Sequence, residues 1–307
     1  MASVNVVNFG GAADLRATTG ESVTPPPALA LQGAVPAPQP IVFEAWRRNL
    51  VSFSLGALSI AAFIGFWYLA TKYRWDFYIR FTNIPSPVEV YDNTLKLFAK
   101  SSYANNIIVS LRRILIGFGI AALLGVGLGL IIGRYRLARS LIFPVLEVLR
   151  PIPAIAWVPM AIMLWPTNEV SIVFITFLGS FFPILLSTIH GVATVDKVLL
   201  RAARSLGANE FALFREVILP GALPHIFTGF AVGMGVAWVS LIAAEMISGQ
   251  FGVGYFTWEA YSLIQYADIV VGMITIGVLG LGCSALIRGL GKIVMPWTSF
   301  NSHEAQT

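Results

Sequence analysis

Charge is what this chain has least of. Of its 307 residues only 11% are charged, against roughly 25% in an ordinary soluble domain. With 57% hydrophobic residues beside that scarcity, a water-soluble globule is excluded. Cysteine is nearly absent too, and the lone Cys283 rules out an internal disulfide framework and a cysteine metal site. The three histidines, His190, His225 and His303, are scattered without H-E-x-x-H spacing, so no metal is expected. There is no G-x-x-x-x-G-K-[ST] loop, since "GLGKI" around Gly291 lacks the upstream glycine and the hydroxyl that would hold phosphate and magnesium. Neither clustered catalytic side chains nor a series of intramembrane acids occurs, which argues against an enzyme and against an ion-coupled carrier. The net charge of +5 fits loops facing an anionic leaflet better than a nucleic-acid surface.

Long apolar runs are present instead. A hydrocarbon core of about 30 Å needs roughly 20 apolar residues in a helix. Windows of that kind cover Val51–Ala70, Ile114–Ile132, Ile152–Leu164 with its proline-rich approach, Val170–Ile189, Ile226–Ile247 and Ile269–Ile287. None alternates apolar and polar residues as barrel strands do. The expected fold is all-α and integral to the membrane, a bundle of about six transmembrane helices. Residues 1–45, with "TPPPALALQGAVPAPQP", read as a disordered cytoplasmic tail and 46–72 as the first transmembrane helix. An external amphipathic segment follows over 73–113, then a core over 114–297 and a tail over 298–307. Lys and Arg near the spans set the orientation. Arg47, Arg48, Arg134, Arg136, Arg139, Lys197, Arg201, Arg204, Arg215, Arg288 and Lys292 gather on one side if both termini are cytoplasmic. The segment 72–113, rich in Lys and Arg, disagrees and reads as a helix along the interface.

Inside the bundle, "GVGLGLIIG" places Gly125, Gly129 and Gly133 on one helical face. Small residues at that spacing let two backbones approach closely, although glycine is also simply common in membrane helices. In "FPVLEVLRPIPAIAWVP", Pro144, Pro151, Pro153 and Pro159 each remove a backbone donor, so this span is expected to be kinked or broken. Freed backbone groups are tolerated only against protein or a water-filled cavity, which makes Pro153, Trp157 and Pro159 candidates for a translocation path. Glu245, in "LIAAEMISG", is the clearest intramembrane ionisable residue. It either faces a polar cavity, which would add it to the path, or reaches the membrane interface, the reading preferred here.

The loop "RAARSLGANEFALFREVILPGALP" concentrates charge around one glycine. Val198, Leu199, Ala202, Ala203 and Leu206 recur at helical spacing, so a short amphipathic helix is expected to run up to Gly207. Glycine permits a sharp reversal there. Asn209 is suited to cap a second helix from Glu210 through Val217, which Pro220 is expected to stop. Such a pair forms a rigid knob fit for a partner's groove.

This loop resembles the signature loop of membrane subunits of ATP-binding-cassette importers, whose pattern is E-A-A, three residues, G, nine residues, then I-x-L-P. Ala202, Ala203, Gly207, Val217, Leu219 and Pro220 fit, whereas Arg201 replaces the pattern's glutamate and Val217 its isoleucine. "LRPIPAIAWVPMAIMLW", "FLGSFFPILLSTIHGV" and "AAEMISGQFGVGY" are similar to the permeases of the nitrate, sulfonate, taurine and bicarbonate group, and the resemblance covers roughly 80–297. It implies a type I importer permease in a bacterial inner membrane. Its coupling loop, 190–225, would seat Arg201, Ala202, Ala203, Arg204, Gly207, Ala208, Asn209 and Glu210 on a cytosolic ATPase subunit. It further implies a second permease copy, two ATPase subunits holding ATP and magnesium, an external binding protein, and no cofactor on this chain. The cargo would be a small anion, with "GYFTWEAYSLIQYADIVVGMITIG" somewhat closer to the sulfonate and taurine members. A stand-alone channel or secondary carrier for small anions is the alternative.

Overall fold

The structure, a computed structural model, describes residues 41–75 and 83–297, with side chains from Val51 onward. The tail expected over 1–45 lies outside the described residues up to position 40, and so does 298–307. From Ile41 the chain is already helical. Two compact units divide it between Ser59 and Ile60, and the described part of the first is helical throughout. The packing and sites described below belong to the second.

No strand occurs among the described residues. A backbone in hydrocarbon finds no water to bond, so it bonds to itself along helices. Helix α1 (Ile41–Lys72) is followed by α2 (Pro87–Phe98), α3 (Ser101–Arg134), α4 (Arg136–Leu149), a 3₁₀ turn at Ala154–Trp157 and α5 (Val158–Leu164). Next come α6 (Asn168–Ala193), α7 (Lys197–Ser205), α8 (Glu210–Leu213), a π turn at Phe214–Ile218, α9 (Leu219–Ser248), α10 (Val253–Ser262) and α11 (Tyr266–Val294). Five helical stretches are long and apolar enough to span a membrane, and α4 with α5 make a sixth if the bent pair counts as one. That pair turns by 84° between Leu149 and Ala154, where Pro151 and Pro153 withhold backbone donors.

Two sequence expectations are corrected. The second span begins at Ser101 rather than Ile114, so the segment expected along the interface divides into α2 and the first turns of α3. A charge-free window hid this because Arg112 and Arg113 stand inside the helix, Arg113 buried at 2% exposure. Helix α2 starts on a capping box between Ser86 and Glu89 and turns Val90 and Leu97 inward beside Tyr103 and Val271. The second correction concerns Pro220, which does not stop its helix. The chain stays helical from Glu210 to Ser248 because a π turn precedes the proline, with the Leu219 N–H bonding to the Phe214 carbonyl five residues back. Widening one turn accommodates the ring and the missing donor.

Helix α6 is the hub, packed most extensively against α9 and α3. On the α3 side the glycine stripe does make the close contact: Gly117, Gly125, Gly129 and Gly133 meet Thr176, Ile184, Thr188 and Val192, a repeat of four on both helices. Against α9, Gly229 meets Ser187 and Gly233 meets Ile184, so Ile184 is held from two sides. A methyl at Gly129 would lie 2.6 Å from Thr188 Cβ and 3.0 Å from the Leu185 carbonyl, whereas one at Gly127 would meet nothing within 4 Å. Rotating the Thr188 side chain gives no relief, because the contacts are with its Cβ and with backbone. Gly129→Ala should therefore destabilise the bundle by about 1–3 kcal/mol through overpacking. Gly127→Ala should be neutral or gain up to about 1 kcal/mol of helix propensity. Thermal unfolding of the two purified variants checks this, and equal melting temperatures would remove the seam.

Candidate functional site

Three places carry chemistry or exposed structure. The first is the knob between α6 and α9. Asp196 caps α7 by accepting the Val198 N–H at 2.7 Å. At the far end of α7, Gly207 adopts φ +84°, the Ala208 N–H bonds to the Ala203 carbonyl and the Gly207 N–H to the Arg204 carbonyl. These two bonds make a Schellman turn, with glycine where a side chain would be strained. Asn209 then accepts the Ala212 N–H at 2.8 Å, capping α8 as the sequence suggests. Glu210 ties the turn down through ion pairs with Arg204 and, across to α3, with Arg134.

No residue of α7 is buried. Apolar side chains of α7 and of the turn after it face outward instead, Leu206 at 88% exposure and Phe211 of α8 at 70%, with Val198 and Leu199 also open. Beneath them, half-buried Leu200 and Phe214 anchor the knob on Val192, Ile218, Ala222 and Ile226. The result is a fixed turn with an uncovered apolar surface. Arg201, Ala202 and Arg204 are exposed on it, and Ala203 and Ala208 are half-buried.

At the opposite ends of α3 and α9 lies a polar cluster. Glu245 is fully buried, which corrects the expectation that it reaches the interface. Arg113 Nη1 donates to Glu245 Oε1 at 2.9 Å and to the Phe251 carbonyl at 2.6 Å. The Ser110 hydroxyl reaches both carboxylate oxygens, at 2.8 and 2.9 Å, and the Gly254 N–H donates to Oε2 at 2.9 Å. On its other edge Arg113 grips Glu169 at the start of α6, donating from Nε at 3.0 Å and from Nη2. The loop before α10 wraps over the carboxylate: Gly252, at φ +121°, donates its N–H to Asn106 at 3.1 Å, and the Val253 N–H bonds to Ser110 at 2.9 Å. A side chain at Gly252 would run into the Glu245 carboxyl group. Every oxygen of Glu245 is thus used, and the cluster clasps α3, α6, α9 and the approach to α10. Arg113 and Glu245 are too buried and too fully engaged to present a charge to a passing ligand.

The third place is a cavity of about 420 Å³ beside the break between α4 and α5. Pro153 lines it together with Arg150 of the break, Gly179 and Phe182 of α6, and Val239 and Ser240 of α9. Of the other residues expected on a path, Trp157 packs half-buried on the core around Val158 and Trp238, Pro159 is exposed in the first turn of α5, and Glu245 is in the buried cluster. None of these three lines the cavity. Nothing in the sequence singles out Arg150, because Pro151 and Pro153 beside it account for the break by themselves. Among the described residues no group of three or more His, Cys, Asp and Glu side chains is gathered as a metal would need. His190 and His225 merely stack edge to face, their ring centres 5.0 Å apart.

Comparison with known proteins places the chain. Residues 125–300 match the family described as binding-protein-dependent transport system inner membrane component. Over 251 residues the chain is 36% identical to a probable ABC transporter permease protein of Brucella melitensis, a match covering 82% of this chain and all of that one. It is 33% identical to the nitrate import permease protein NrtB of Synechocystis over 224 residues, 70% of this chain and 82% of the relative. With the bicarbonate transport system permease protein CmpB of Synechococcus elongatus it shares 31% identity over 270 residues, 84% of this chain and 95% of the relative.

Proposed function

Because the chain belongs to the binding-protein-dependent inner membrane components, and so is a permease subunit of an ATP-binding-cassette importer and not itself an enzyme, we propose that it forms one half of a translocation path for a small anion. The observation that carries the reading is the knob around Gly207. An apolar surface held rigidly by a Schellman turn and two ion pairs is what a partner's groove takes, and a loop of no function would not keep Leu206 and Phe211 uncovered. The occupant is a cytosolic ATPase subunit, which holds the ATP and magnesium; this chain needs no cofactor of its own.

Two copies of the chain pair, each seating its knob on one ATPase, and an external binding protein delivers the cargo. Nitrate, bicarbonate and a small sulfonate such as taurine are the candidates, the first two because relatives bear those names. Both termini and the knob face the cytoplasm of a bacterial inner membrane, and the Glu245 cluster lies toward the outside.

The test is the mass of the detergent-solubilised complex. Two copies of this chain with two ATPase subunits are expected, and no ATP hydrolysis by the chain alone. A conducting complex without any ATPase would overturn the reading in favour of a channel. Orientation is checked with single cysteines in a Cys283→Ser background. Position 265 should react with an impermeant external reagent and position 209 should not, and the reverse pattern would invert the assignment.

A further inference from the structure

The cavity beside the α4–α5 break holds two polar groups that the rest of the fold leaves unused. Arg150 is exposed, lines this cavity, and makes no ion pair and no side-chain hydrogen bond among the described residues. A guanidinium beside a break in a membrane-spanning pair is costly unless something compensates it. Ser240 is the second group. It is 5% exposed, and its hydroxyl is the exception among the buried ones. Ser171, Thr176, Ser180, Thr188, Ser248, Thr257 and Thr275 all bond back to a carbonyl four residues earlier in their helices, and Ser110 holds Glu245. Ser240 makes no such bond. Instead it sits where α9 crosses Gly179 of α6, on the cavity wall.

From these groups we infer that Arg150 and Ser240 form a binding subsite for a small oxyanion inside the cavity. The planar guanidinium presents paired N–H donors at the spacing of two oxygens on one anion, which an ammonium cannot do. The Ser240 hydroxyl supplies a further donor from the α9 side of the same cavity. The other lining residues named above, Pro153, Gly179, Phe182 and Val239, offer no side-chain donor or acceptor, so the low local dielectric strengthens what the two polar groups do. Pro153 also withholds its backbone donor. Room remains for water, so the anion need not be stripped completely. This subsite rests on the permease reading, and it assigns anion selectivity in part to this chain rather than wholly to the binding protein.

The experiment uses the whole complex, with its ATPase and binding protein, in proteoliposomes, and labelled nitrate, bicarbonate and taurine as probes. For whichever probe the wild type takes up, Arg150→Gln should lower uptake about tenfold or more, the scale of a lost charged hydrogen bond. Arg150→Lys should recover part of the rate but raise the half-saturation concentration, because the charge remains without the fork. Ser240→Ala should raise that concentration roughly threefold with little change in maximal rate. Copurification of the ATPase subunits shows that each variant has folded. If the wild type transports an anion and assembled Arg150→Gln transports it equally well, the subsite is wrong and the permease reading stands. If the assembled wild type takes up none of the three while another class of solute is carried, the anion reading falls and the subsite with it.

Discussion

Arg113→Ala is expected to be the most damaging single substitution in the bundle. It would leave Glu245 fully buried without its cation, and it would also remove the donor to the Phe251 carbonyl and the grip on Glu169. Removing one partner of a buried ion pair typically costs about 3–5 kcal/mol, because the remaining charge stays desolvated. The clasp joins three long helices and the α10 approach, so the loss should loosen that whole end. Arg113→Lys should fare little better, since the three donors of an ammonium sit on one nitrogen and cannot bridge Glu169 and Glu245 as the separate nitrogens of the guanidinium do. Removing both charges, as in Arg113→Met with Glu245→Leu, should return much of the stability. The measurement is a double-mutant cycle on denaturant or thermal unfolding of the purified protein. A single Arg113→Ala variant within about 1 kcal/mol of wild type would show that the cluster is incidental.

Gly207→Pro should act at the other end and through a different property. At φ +84° proline is sterically forbidden, and its ring also deletes the N–H that bonds to the Arg204 carbonyl. The turn must then rearrange, which misplaces Leu206 and Phe211 while every apolar span is untouched. The expected protein inserts in normal amount but no longer retains ATPase subunits on purification. Gly207→Ala separates strain from crowding, because a methyl there meets nothing within 4 Å and pays only the backbone term, about 1 kcal/mol. Gly207→Asn should be milder still, as asparagine tolerates this region. If the proline variant retains its partners and transports normally, the knob is not the contact surface.

These two sites differ in how far the amino-acid sequence betrays them. The Gly207 turn is made of bonds between residues no more than five apart, so glycine, asparagine and the helical spacing before them announce it directly. The glycine stripe of α3 is local in the same sense, although its partner residues on α6 are not. By contrast, Arg113 and Glu245 are separated by 132 positions, and nothing in either neighbourhood states that they meet. A search for charge-free windows even works against finding them, since it places Arg113 outside the span that buries it. The signal lay in the conflict between seven basic residues over 72–113 and an external placement. That excess falls partly on a charge buried in the bundle and neutralised there. Pro220 misled for a related reason: proline stops an ideal α-helix, and the sequence does not show that a wider turn ahead of it can absorb the defect. Arg150 gives no signal of its own in the sequence, since its neighbours' missing donors explain the break without it.

The π turn before Pro220 has a mechanical meaning. From Glu210 to Ser248 the chain is one helical stretch of 39 residues, about 58 Å long at 1.5 Å per residue. Such a rod resists shortening, so axial displacement at the knob reaches the Glu245 clasp almost undiminished. It is far less resistant to bending where its bonding is irregular, and the irregularities are all at one end: the π turn at Phe214–Ile218, then Pro220 and Pro224. Beyond them the helix is anchored along α6. The rod therefore behaves as a stiff lever with its compliance concentrated in its first four turns or so, so that tilting of the knob is taken up there and thrust along the axis is passed on.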